Sequence, residues 1–588
     1  MIKILKSSLI CLSLLTATRL LAQPNAEDAK LQSFFKNYLE ERFQAEPTEA
    51  SGLGDHRFDN RLDDISPRAR EQWLVAAQAT LKALPKAVDY RKLSRNGQID
   101  FEIFQQNLDA RIWRMKNLHP FEQDARTYGD YLSDSVYVLL THSTLPKETN
   151  IANGIARMTE FPRIIAEAEH SLTHPSRPLL ETAIRQNQGA IAFYEKDIFN
   201  YTGATPQQKE LVTATTKVAG ELKEYQKFLE GPARARADDN WRLGKKKFDQ
   251  KFILETGAGI SAEQNLADAQ AEFARVQDQL YIISRQLWPT YFPQQNFPPD
   301  DPAGRRETIT KVINQVDREH GDADSLVADA RATVASVKAF IQKRHYLQLP
   351  APDKCDVIEM PEFRRGNSLA YLDNAPPLDP QASSFYAVSP PPADWTPQQK
   401  ESFLEEYNRH MLKILTIHEA YPGHYVQLEY ASRQPSLIRR VLQSGPYVEG
   451  WAVYGEITML NEGYGEGDLR LRLMQLKFYL RAVANSILDY QMHCTQMTDD
   501  AAMKFLTGDA YQSEGEAKLK VIRAKQSSVQ LSTYFVGRMA HYRLHQAIER
   551  ELGDKFDLAR YHEAVLLQGS VPVKYLPELV RRQLGLIQ

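Results

Sequence analysis

Cysteine is scarce, with 3 in 588 residues, and Cys11 falls in the apolar leader at the start of the chain. Cys355 and Cys494 alone are too few for a disulfide scaffold or a thiolate zinc cluster. Export would permit them to pair, and burial as free thiols fits them equally well. Excess charge of one sign is also lacking, because 72 basic residues face 75 acidic ones for a net charge of -3. Nothing in that balance offers a footprint for nucleic acid or an anionic membrane. Beyond the leader, no stretch has the roughly 18 uninterrupted apolar residues of a membrane span, so no stable membrane insertion of the mature chain is expected. Fixed-period repeats and low-complexity tracts are missing as well, which argues against a solenoid or a long disordered arm. The partner must therefore be recognised in a site, and oligomeric state is left open.

What is present is material for a large folded body: 43% hydrophobic residues and 10% aromatic ones supply ample core. "MIKILKSSLICLSLLTATRLLAQPNAEDAK" places Lys3 and Lys6 ahead of an apolar run that ends near Ala22. This order reads as a signal peptide over residues 1–22 and an exported, periplasmic or secreted chain. Cys11 lacks the small residues ahead of it that a lipoprotein signal would want. Residues 23–348 read as a helical scaffold, as in "ARVQDQLYIISRQLW", where apolar residues recur at three and four. Residues 349–588 read as a catalytic region joined to the scaffold in one fold. It begins with a small sheet, "CDVIEM", "SLAYLDNA" and "SSFYAVSP", separated by proline turns. The last segment, with Tyr386, is expected to offer an edge to an extended substrate. "TPQQKESFLEEYNRHMLKILTIHEA" then reads as one long helix, with Thr396 as N-cap and Pro397 in the first position.

The chemistry concentrates in "TIHEAYPGHYVQ". His418 and Glu419 point about 100° apart on a helix, so the imidazole can bind a metal while the carboxylate serves as general base. On unbroken helix His424 would sit about 120° off the face of His418. Pro422 and Gly423 permit a break that brings His424 round, which requires distortion at Tyr421-Pro422-Gly423. Glu449 in "YVEGWAVYGE" is the candidate third ligand, and Glu456, on nearly the same face, is a candidate to orient a ligand. The alternative is a proline-terminated helix with packed histidines. His562-Glu563 in "YHEAVLL" lacks a second ligand and reads as surface helix. His541 and His545 have the spacing of a ligand pair but no neighbouring acid, and read as packed. His56, Arg57 and Asp59 read as a turn that caps the helix after it, in preference to a substrate contact.

"HEAYPGHYVQ", "EGWAVYGE", "LSTYFVG" and "YHEAVLLQGSVPVKYL", in that order, resemble the bacterial family known as domain of unknown function 885, over nearly all of the mature chain. That family is similar to helical zinc metallopeptidases such as thimet oligopeptidase, carboxypeptidase Taq and angiotensin-converting enzyme. The resemblance implies a mainly α, large metallopeptidase-like fold with a central cleft and a small sheet ahead of the zinc helix. It also implies one zinc held by His418, His424 and Glu449, with Glu419 as general base. Tyr534 falls at a family tyrosine suited to stabilising an oxyanion, although a packed aromatic with a satisfied hydroxyl reads as well. Arg523 matches a family arginine, but Ala524 stands where an aromatic is usual. Arg481, Asp489 and His493 form another family-like group, with Asp489 and His493 either supporting the site, touching substrate or pairing on a helix surface. The expected function is zinc-dependent hydrolysis of short peptides. A metal-dependent amidase acting on other amides or peptidoglycan fragments, and a non-catalytic helical binding protein, are the alternatives.

Overall fold

The computed structural model describes residues 25–360, 370–391 and 395–587, so the expected leader lies outside the described residues. The fold is mainly helical with one small mixed sheet. Helices begin where a short polar side chain can take a free amide of the first turn. Ser66, Ser94 and Ser261 each accept the amide three residues on. Thr396 does the same for the helix that begins at Pro397, and Gln399 returns the bond in a capping box. Among the described residues no helix is long and apolar enough to cross a membrane. Both described cysteines are free thiols.

Two main apolar cores form. The larger draws on residues from Leu31 to Val580, and the second gathers side chains between Leu62 and Ala233. Helix α1 (Ala262–Tyr291) packs along a helix of the carboxy-terminal half that spans Leu469–Cys494, so residues before and after the sheet share the larger core. Helix α2 (Leu326–Arg344) then leads into the sheet and packs on its first and third strands.

The strands are β1 (Cys355–Glu359), β2 (Ala370–Asp373) and β3 (Ser384–Val388), in the order β1-β3-β2. β3 runs parallel to β1 and antiparallel to β2. The expected free edge at "SSFYAVSP" is thus corrected: β3 is the central strand. It is the most buried of the three, with Tyr386 fully enclosed and its hydroxyl 3.2 Å from Thr416 Oγ1. The less buried β2 takes the edge.

The expected long helix is also corrected, to α3 (Pro397–Glu406) and α4 (Arg409–Glu419). Asn408 divides them, because its Oδ1 accepts the amides of His410 and Met411 at 3.0 Å while its Nδ2 donates to Asp317 at 2.9 Å. Asparagine competes with helical backbone in this way. Helices α5 (His424–Ser432), α6 (Gly445–Asn461), α7 (Leu469–Cys494), α8 (Glu514–Gln526) and α9 (Thr533–Leu552) follow. α6 and α9 cross in backbone contact, since a Cβ on Gly450 would lie 2.2 Å from the Gly537 carbonyl carbon and one on Gly537 would lie 1.7 Å from the Pro446 oxygen.

That crossing predicts opposite signs for two glycine substitutions. Gly537→Ala forces backbone apart and should cost at least the ~1–3 kcal/mol of overpacking. Gly220→Ala, on an exposed helix position with nothing within 4 Å, should stabilise by about 0.5–1 kcal/mol. Urea unfolding midpoints measure both.

Candidate metal centre

α4 buries Met411, Leu412, Ile414, Leu415 and Ile417 along its length and ends on His418 and Glu419. The backbone then leaves the helix at Ala420, passes a cis Tyr421-Pro422 bond, and resumes as α5 at His424. Gly423 allows this return. A Cβ there would lie 1.8 Å from the His418 carbonyl oxygen and 2.4 Å from that of Ile417, so any larger residue would push the two helix ends apart. The indole of Trp451 on α6 donates to the Pro422 carbonyl at 2.8 Å and ties the turn down.

The break brings the His418 and His424 rings to 4.7 Å between centroids, nearly perpendicular at 85°. Their Nε2 atoms lie 3.7 and 3.4 Å from Glu449 Oε2. One donor atom from each of the three residues lies within 4.8 Å of the others, and no second His/Cys/Asp/Glu group converges in this way among the described residues. Glu449 Oε2 is buried without a hydrogen-bond partner. Three converging donors, two imidazoles and a carboxylate, fit a metal ion such as zinc.

Glu456 lies two turns beyond Glu449 on α6. Its Oε1 stands 2.7 Å from His418 Nδ1, and the residue is fully buried. This contact assigns the proton to Nδ1 and leaves Nε2 free to ligate. Burial would lower the His418 pKa, but Glu449 and Glu456 raise it well above the ordinary imidazole value. Burial alone would raise Glu449, yet the two histidines hold it far below the usual carboxylate range. Glu456 is pushed up by its burial. Without a cation the centre is strongly proton-binding, so a metal entering it competes with protons.

Glu419 faces the sheet edge, where its Oε2 accepts the Leu372 amide of β2 at 3.0 Å. The Tyr534 ring lies nearly parallel to that of His418, with centroids 6.5 Å apart. Its hydroxyl accepts from Arg523 Nη2 at 3.0 Å, and burial pushes its pKa up to about 12, so the phenol stays protonated and can donate. Asp489 is fully buried below this helix and accepts the Val529 and Ser532 amides at 3.1 Å each. It thereby holds Val529 at φ 70°, a region a β-branched residue seldom enters.

His493 donates from Nε2 to the Ala524 and Ser527 carbonyls at 2.8 Å each and accepts the Leu243 amide at Nδ1, 3.2 Å away. Asp489 and His493 are both buried and support backbone next to the site, in place of the helix-surface pair that their spacing allowed. Tyr386 supports α4 through Thr416, and Arg481 pairs with Glu406 and Glu516. His56 bridges Asp59 and Asp379 at 2.9 and 3.1 Å, so the turn read in the sequence also ties the scaffold to the sheet region.

The expected surface position of His562 is corrected. It is fully buried, with Nδ1 3.0 Å from the Tyr346 carbonyl and Nε2 2.8 Å from the Tyr454 hydroxyl. His541 and His545 pack beside it against α6. Burial lowers the pKa of all three, to about 4 for His541 and about 3 for His562, so they are neutral packing groups. Sequence reading missed the Leu372 amide, which has no side-chain signal. It also missed Glu516, Lys520 and Arg523 as one face of α8, although their four- and three-residue spacing was visible.

A family described as "Bacterial protein of unknown function (DUF885)" matches residues 47–580. No curated protein matches the chain. Among solved structures, a "putative lipoprotein of unknown function" from Shewanella oneidensis is 29% identical, with a TM-score of 0.77 over 93% of this chain and 99% of its own. A "putative lipoprotein" from Colwellia psychrerythraea is 19% identical, with a TM-score of 0.78 over 96% and 100%, and shares the fold.

Metal titration against a competing chelator tests the centre. One zinc should bind per chain, and Glu456→Gln should weaken it roughly 10- to 100-fold with the fold intact. Affinity should fall as pH is lowered, beginning above the ordinary imidazole range, because His418, whose pKa is raised by Glu449 and Glu456, must lose a proton to ligate.

Proposed function

The chain belongs to the bacterial DUF885 family, whose description assigns no function, and from the site it carries we propose that it is an exported, zinc-dependent peptidase of short peptides. The observation that carries the reading is Glu419. It stands beside His418 yet outside the His418/His424/Glu449 group, and its carboxylate is steered by a backbone amide. A structural zinc closes its shell with protein ligands and needs no adjacent base.

When bound, zinc would polarise the scissile carbonyl and acidify a water. Glu419 takes the proton of the attacking water and passes it to the leaving amine. Tyr534 donates a hydrogen bond to the developing oxyanion, and Arg523 at its oxygen holds that donor in place. β2, the edge strand beside Glu419, suits an extended peptide, which would add to the sheet as a further strand. Export is supported by the leader and by the lipoprotein descriptions of both structural neighbours.

A peptide-library digest read by mass spectrometry tests the mechanism. Glu419→Gln should lower kcat/KM roughly 10²- to 10⁴-fold with bound metal unchanged, and Tyr534→Phe roughly 10²- to 10³-fold. Cleavage that survives both chelator and Glu419→Gln would show that this centre is not the catalyst.

A further inference from the structure

Beside the candidate centre lies a small cavity of about 100 Å³, lined by His418, Glu419 and Tyr534 together with Arg481, Lys520 and Arg523. The cations of the wall are unevenly paired. Glu516 is shared, at 3.3 Å from both Arg481 and Lys520, and Arg481 also pairs with Glu406. Arg523 donates to neutral partners, Gln530 at 2.8 Å and Tyr534 at 3.0 Å, and meets no carboxylate in an ion pair among the described residues. Asn485 adds an independent sign: it lines the same cavity at 4% exposure, and its Oδ1 has no partner. An Asn amide can present either end to a ligand.

Burial brings Lys520 down to about 8, opposed by Glu516 and assisted by Arg523 and Arg481. Among the described residues Arg523 has no carboxylate in contact, Glu449 and Glu516 acting on it only from a distance, which leaves its guanidinium a place for an anion that the chain does not supply.

We infer that this pocket receives the terminal carboxylate of a peptide, so that the protein trims short fragments from carboxyl ends. The inference rests on the peptidase reading above. Glu419 must stand beside the leaving amine to protonate it, so the cavity it walls holds the leaving side of the substrate. A carboxylate there meets Arg523 and Lys520 in charge-assisted hydrogen bonds, and the small volume limits how much chain can follow.

The metal-loaded enzyme is given matched peptides with a free carboxyl end, an amidated end, an acetylated amino end, or an acidic side chain on an amidated peptide. Amidation should lower kcat/KM roughly 10- to 100-fold, the loss expected when a charged donor has no anion to meet, and acetylation should change it little. In Lys520→Met the acid-to-amide preference should shrink several-fold, whereas damage to the fold would slow both peptides alike. Equal cleavage of acid and amide, or a preference that follows the acidic side chain, overturns the pocket assignment and leaves the peptidase reading standing. Failure of every peptide overturns both.

Discussion

Two carboxylates of one helix hold His418 by its two ring nitrogens, and the carboxy-terminal half is arranged around that grip. Glu456 lies 2.7 Å from Nδ1 and Glu449 lies 3.7 Å from Nε2. Seven residues apart on α6, they fall on one face. Buried charge is tolerated only when it is paired, and here the pairing depends on a shared cation or proton between them. The same field that raises the His418 pKa attracts a metal ion. His424 completes the set of donors while its own Nδ1 is buried without a partner, so the orientation of the centre comes chiefly from the Glu456 contact.

That grip requires backbone to approach backbone. Gly423 lets the chain fold against the end of its own helix, and Gly450 and Gly537 let α6 and α9 touch. The second contact bears directly on the chemistry, because Glu449 precedes Gly450 and Tyr534 stands one turn before Gly537 on α9. Glu449 and Tyr534 are therefore set relative to one another by a main-chain contact that no rotamer change can relax. Asp489 adds a local constraint, holding Val529 at positive φ. A backbone conformation that costs on the order of 1–3 kcal/mol is kept where the chain turns into the Tyr534 helix.

Charge is distributed unevenly about this frame. The group that could hold a metal carries two imidazoles and a carboxylate, while the adjoining cavity is lined by Arg481 of α7 and by Lys520 and Arg523 of α8. β2 passes the same point with its outer edge toward Glu419. The second apolar core lines a further cavity with Tyr371 of β2.

Much of the centre could be read from local order. His418, Glu419 and His424 lie within seven residues, the break at Pro422-Gly423 follows from backbone chemistry, and Glu456 lies on the face of Glu449 by helical periodicity. The Thr396 cap was equally local. What could not be read was set by distant partners: β3 became central because two other strands found it, and α3 and α4 separated because Asn408 met Asp317. His562 went inside because Tyr346 and Tyr454 satisfy both its nitrogens. By itself the sequence determined the donor types, their spacing and the helical class, since these depend on a residue and its near neighbours. Only the tertiary structure decided which histidines converge on a group that could hold a metal and which are packing, and which cation is left without a carboxylate in contact, because burial and pairing are properties of what the rest of the chain brings to a side chain.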